Sequence, residues 1–116
     1  MIDTFGFIDK AVTQGIKRAV IDAASSGDNT LVAAVTGKKI RVHSCVLIMT
    51  GTAVTIRFES GAGGTALTGQ MTPSQGGGFV LPHNPVGWFE TVAGELLNLE
   101  LGGAQSADGV LNYSEI

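Results

Sequence analysis

Segments of this chain alternate apolar and polar positions with a period of two. The alternation is clearest in residues 38–59, KKIRVHSCVLIMTGTAVTIRFE. Val54, Ile56 and Phe58 alternate there with Thr55, Arg57 and Glu59, which predicts a strand with one buried and one wet face. The run from Cys45 to Met49 is apolar at every position. That pattern fits a central strand, or one covered by another subunit as well as by its own core. Thr50-Gly51 lies between the two runs and predicts a hairpin, with Gly51 supplying a positive φ.

The rest of the chain repeats this rhythm. Strands are predicted over residues 16–24, where Ala and Lys leave a helix as the alternative, and over 30–36, 65–67, 79–81, 88–92, 95–101 and 109–116. Ser, Gly, Asn, Asp and Pro clusters punctuate them, notably Ser25-Ser26-Gly27-Asp28-Asn29 and His83-Asn84-Pro85. In the segment 95–101, Leu97, Leu99 and Leu101 share one face while Leu96, Asn98 and Glu100 share the other. A long Gly/Ser/Thr-rich stretch, residues 60–78, interrupts the pattern, and loops of such length are usually functional or mobile. Short strands recurring every 8 to 12 residues or so predict an all-β fold. The long crossings favour a single jelly-roll-like antiparallel β-sandwich of about eight strands over a meander.

Residues 1–15 stand apart as an N-terminal arm ahead of a sandwich domain over residues 16–116. Phe5, Ile8 and Val12 have helical spacing, but Gly6 and Gly15 oppose a long helix. Phe5, Phe7, Ile8 and Val12 are apolar groups at a chain end. They are expected to pack on their own domain or to dock on a neighbouring subunit or on a larger assembly.

Composition narrows the function. Charged residues are only 15%, against roughly 25% in an ordinary soluble domain. A subunit that buries much of its outer surface in an assembly needs fewer charges there. The formal net charge of −3, with seven scattered Lys and Arg, lacks the electrostatic footprint of a nucleic-acid binder. Asp3 and Asp9 interrupt the start, so neither a signal peptide nor a membrane span is expected.

Chemistry has little to stand on. The single Cys45 is expected to be a small buried hydrophobe. With His43 and His83 forty residues apart, no metal-ligand spacing appears. Glu90, Glu95 and Glu100 offer a carboxylate pair in principle, but Glu90 and Glu100 fall on positions expected to face solvent. The glycine runs at residues 61–64 and 76–78 lack the helix and Lys-Ser/Thr of a phosphate loop. Trp88, beside Gly87, is expected to close one end of the sandwich, with an exposed sugar platform as the alternative. No catalytic residue, cofactor or metal site is expected.

The run GGGFVLPHNPVGWFETVAGELLNLEL, residues 76–101, preceded by KKIRVHSCVL and TALTGQM, resembles small virion proteins of tailed bacteriophages. The resemblance spans roughly residues 19–115 and consists of structural motifs. It implies a jelly-roll decoration (cement) protein that binds the major capsid protein at local symmetry axes, commonly as a homotrimer. Such a protein would stabilise the shell against DNA pressure. It would be made in the host cytoplasm and reside in the virion, with no nucleic-acid or membrane partner. A trimeric host-recognition or carbohydrate-binding module of a tail fibre or spike is the rival reading.

Overall fold

In the computed structural model, residues 15–116 are described, and the arm positions Phe5, Phe7, Ile8 and Val12 lie outside them. The described residues form nine antiparallel strands in two facing sheets, a β-sandwich. They are β1 (Lys17–Ala23), β2 (Gly27–Val32), β3 (Ile40–Met49), β4 (Ile56–Ser60), β5 (Thr65–Ala66), β6 (Gly78–Leu81), β7 (Phe89–Glu90), β8 (Leu97–Leu101) and β9 (Ala107–Glu115). One sheet runs β1-β9-β3-β6, with β7 also on β3; the other runs β2-β8-β4-β5.

The core lies between the sheets. Ile21, Ile40, Val42, Cys45, Leu47 and Met49 enter it from one side, and Ile56, Phe58, Leu97, Leu99 and Leu101 from the other. Phe58 of β4 is fully buried and meets the rings of Phe79 and Phe89 from the opposite sheet, with centroids 6.3 and 4.9 Å away. Offset or edge-on aromatic contacts of this kind add to the burial of each ring. Both apolar faces expected of residues 45–49 are real. β3 is central to its sheet, pairing β9 on one edge and β6 and β7 on the other.

The expected hairpin is not formed. β3 and β4 belong to different sheets, and the chain crosses the sandwich between them. Gly51 accordingly has no positive φ. A Cβ there would stand 2.6 Å from the backbone nitrogen of Ser106, so glycine serves a close approach to the β8–β9 connection. The Thr50 and Gly51 amides both donate to the Ser106 carbonyl. Local alternation signals a strand, but it carries no information on which strand pairs with it.

β2 also starts earlier than the turn residues predicted. Gly27, Asp28 and Asn29 are already paired with Leu101, Glu100 and Leu99, and the strand ends at Val32. The Asn29 side chain donates to the Ser25, Gly27 and Leu99 carbonyls, so a turn-forming residue stabilises the turn from within the strand.

β3 carries a bulge. Val42 pairs with Tyr113 and Ser44 with Asn112, leaving His43 as the extra residue. The inserted residue shifts the alternation by one, so Ile40 and Val42 before it and Cys45, Leu47 and Met49 after it all face the core.

Candidate functional site

Three places gather side chains that could act on something outside the core. The first surrounds the bulge. His43 Nδ1 lies 2.9 Å from the Asn84 carbonyl and its Nε2 lies 2.8 Å from Ser114 Oγ. A carbonyl only accepts, so Nδ1 carries a proton and donates to Asn84, while the Ser114 hydroxyl is hydrogen-bonded to Nε2. The His83 ring stacks on His43, centroids 5.7 Å apart. The two histidines therefore meet through the fold, as neither strand alternation nor spacing foretold. Together with Gly15, Ile16, Arg41, Pro85, Ser114 and Ile116 they line a pocket of about 440 Å³. Cys45 does not join them. It points into the core, where burial pushes its thiol up to about 12. Arg41 is held by Glu90 at 2.8 Å, and Lys39 joins the same carboxylate at 3.1 Å.

Trp88 does not close the sandwich as expected. It is 43% exposed, and its indole N–H donates to the Pro82 carbonyl at 2.8 Å. The Pro82 carbonyl, just past β6, fixes the ring at the surface, while Phe58, Phe79 and Phe89 supply the aromatic packing of the core.

The second place is a polar cluster on β2, β4 and β8. Carboxylate oxygens of Asp28, Glu59 and Glu100 lie within 4.8 Å of one another. Glu59 was expected on a wet face, yet it is fully buried, as is Asn98. The register explains the meeting: Asp28 and Arg57 flank Glu100 on β8, and Glu59 sits opposite Asn98. Asn98 donates to Asp28 at 2.8 Å and to Glu59 at 2.9 Å, Arg57 donates to Glu59 at 2.6 Å, and the Gly63 amide donates to Asp28 at 3.0 Å.

Burial works to raise the Glu59 carboxyl. Hydrogen bonds from Glu100, Arg57 and Asn98, with the Arg57 charge, overcome it and hold Glu59 below its usual range. Glu100 goes the other way, raised by its hydrogen bond to Glu59, by burial and by the Glu59 charge. The pair divides its titration as two close carboxylates must, one staying charged and one keeping its proton longer. Oxygen donors of this kind suit a hard cation, but here Arg57, Asn98 and Gly63 already meet them. The cluster is a satisfied structural network. Among the described residues no buried side-chain polar atom lacks a partner. Glu90 and Glu95, the other carboxylates of the sequence-level pair, are elsewhere: Glu90 with Arg41, Glu95 accepting from Ser60 Oγ at 2.5 Å.

The third place is the outer face of the β1-β9-β3-β6 sheet. Val20 pairs with Val110, Val110 with Val46, and Val46 with Val80. Four valines from four strands thus form one row across the sheet. Their sequence neighbours Ile21, Leu111, Cys45 and Leu47 point inward, so the valines point away from the core. Val20 is 70% exposed, Val80 64% and Val46 37%. Only the β3 member was legible in the sequence, where residues 45–49 are apolar at every position; that Val20, Val110 and Val80 line up with Val46 depends on the pairing of four strands.

No protein-family model matches this chain, and no match was found among the curated proteins compared with it.

Proposed function

We propose that this chain is a phage virion structural protein that decorates and stabilises the capsid shell by binding the major capsid protein as an oligomer. The observation that carries the reading is the winding. Consecutive strands alternate between sheets except at β4–β5 and β6–β7, and the orders β1-β9-β3-β6 and β2-β8-β4-β5 interleave the two ends of the chain. A jelly-roll winding, two Greek keys folded into facing sheets, has this interleaving, and it is the fold that the resemblance of residues 76–101 implies. The low charge content and the apolar outer face agree with a subunit that lives among neighbours.

In this reading the sandwich is a rigid block, and the arm with Phe5, Phe7, Ile8 and Val12 is the capsid-facing or inter-subunit anchor. Repetition around a symmetry axis, three copies in the resemblance, multiplies weak single contacts into avidity. The test is co-sedimentation of the purified protein with empty shells. Full-length protein should pellet with shells, and protein lacking residues 1–14 should stay folded but remain in the supernatant. Failure of the full-length protein to bind shells rejects the function, and undiminished binding of the shortened one rejects the role of the arm.

A second reading has one specific observation in its favour. Trp88 offers an exposed ring fixed by its N–H on the Pro82 carbonyl, an arrangement suited to stacking on a sugar in a host-recognition module. Glycan-array binding that Trp88→Ala abolishes would favour it over shell decoration.

A further inference from the structure

The valine row is not a scatter of surface apolar residues. Its four members come from four strands, stand in register, and occupy the exposed face of a sheet whose other face is the core. What flanks the row says what covers it. Two residues to one side stand Arg18 on β1, Asn112 on β9 and Ser44 on β3, with Asn112 donating to Ser44 at 2.9 Å. Two residues to the other side stand Asp22 on β1, paired with Asp108 on β9. The face therefore has one cation, Arg18, beside the neutral Asn112 and Ser44 along one margin, valines in the middle, and Asp22 with Asp108 along the other. Arg18 and Asp22 are exposed, and neither has an ion-pair partner among the described residues.

We infer that this face binds the same face of a second copy of the chain, related by a two-fold axis that runs along the valine row. Rotation about that axis keeps each strand over its counterpart and exchanges the two margins. Valine then meets valine, Arg18 of each copy lies over Asp22 of the other, and Asn112 lies over Asp108. The strands of the two copies run antiparallel and aligned, as sheets pack face to face at a spacing of about 10 Å. An isologous contact needs such a self-complementary surface. A three-fold ring would not bring the opposite margins together in this way, so the pairing differs from the trimer that the resemblance implies, and it does not rest on the capsid reading.

The patch is modest. Four strands at about 4.8 Å spacing and margins four residues apart give a contact roughly 15 Å by 13 Å. That is small beside the roughly 1,600 Å² of a standard stable interface, so the pair forms as concentration rises.

Sedimentation of the full chain over micromolar to sub-millimolar concentrations tests the inference. A monomer–dimer equilibrium is expected. Val46→Arg should weaken it about tenfold or more, and so should Arg18→Asp, which sets like charges face to face. Joining Arg18→Asp to Asp22→Arg should restore the pair, because the margins are exchanged but remain complementary. Val80→Lys on the edge strand β6 serves as a second variant should Val46→Arg alter the urea midpoint. A monomer at every concentration overturns the inference. So does a dimer indifferent to both valine variants, or a double exchange no better than the single. Monomers whose valine variants lose binding to empty shells would assign the face to the capsid protein and overturn the pairing as well.

Discussion

The side-chain amide of Asn98 donates to Glu59 at 2.9 Å and to Asp28 at 2.8 Å, joining three strands of one sheet through a single buried group. Its carbonyl accepts from the Asn29 backbone amide at 2.8 Å, so both amide hydrogens and the carbonyl oxygen of the side chain have partners. Replacing Asn98 by Ala leaves a buried carboxylate short of a donor and a strand amide short of an acceptor. The expected loss is about 2–4 kcal/mol, read as a lower midpoint in urea unfolding. A variant within about 0.5 kcal/mol of the parent would show that the network contributes little.

The two carboxylates of this cluster make stability depend on pH in opposite senses. Glu100 is raised in the folded state, so its contribution is full below the unfolded pKa and is lost as pH rises through the folded one. Glu59 is lowered, so its contribution is present above the unfolded pKa and is lost as pH falls through the folded one. From neutral pH downward, the protein should first gain stability as Glu100 takes its proton, then lose it in stronger acid as Glu59 is protonated. Asp28 and Arg57 face the same pair and modulate the first step in opposite directions. Glu100→Gln should abolish the early gain and keep the acid loss. Urea midpoints measured across this range decide it, and identical profiles for the two proteins would refute the shared-proton account.

Cys45 is 2% exposed and its thiol is pushed up to about 12 by burial alone. Since the thiolate is the reacting form, the native protein should be inert to a disulfide reagent at pH 8. It should react at once in strong denaturant. Rapid reaction of the native state would mean that the β3 core opens readily.

Phe58 is the aromatic hinge between the sheets, touching Phe79 and Phe89 across the core. Phe58→Ala should cost about 3–5 kcal/mol through lost burial and the cavity left behind. Phe58→Leu, which keeps most of the volume, should cost clearly less. Calorimetric unfolding of the two variants checks the order.

Much of the secondary structure was legible in the sequence. β1, β3, β5, β6, β8 and β9 fall where alternation, branched residues and turn clusters predicted strands, β7 falls inside a predicted one, and β4 overlaps one and runs one residue past it. The inward direction of Leu97, Leu99 and Leu101 was readable too, because the period of a strand fixes which residues share a face. The burial of Glu59 and Asn98 was not, since parity says only that they face away from the leucines. What lies over that side depends on segments distant in the chain, such as the turn that brings Gly63 to Asp28. The His43–His83 stack and the Ser114 contact were hidden for the same reason, compounded by a bulge that one-residue bookkeeping does not reveal.

The amino-acid order by itself determined that this chain forms short strands with one greasy face each, since alternation and turn chemistry act over a few neighbouring residues. Only the tertiary structure decided that β3 and β4 part to opposite sheets, that three carboxylates from three strands converge, and that four valines line up across a surface. Pairing and register are settled by contacts between residues far apart in the chain, whose energies no local pattern records.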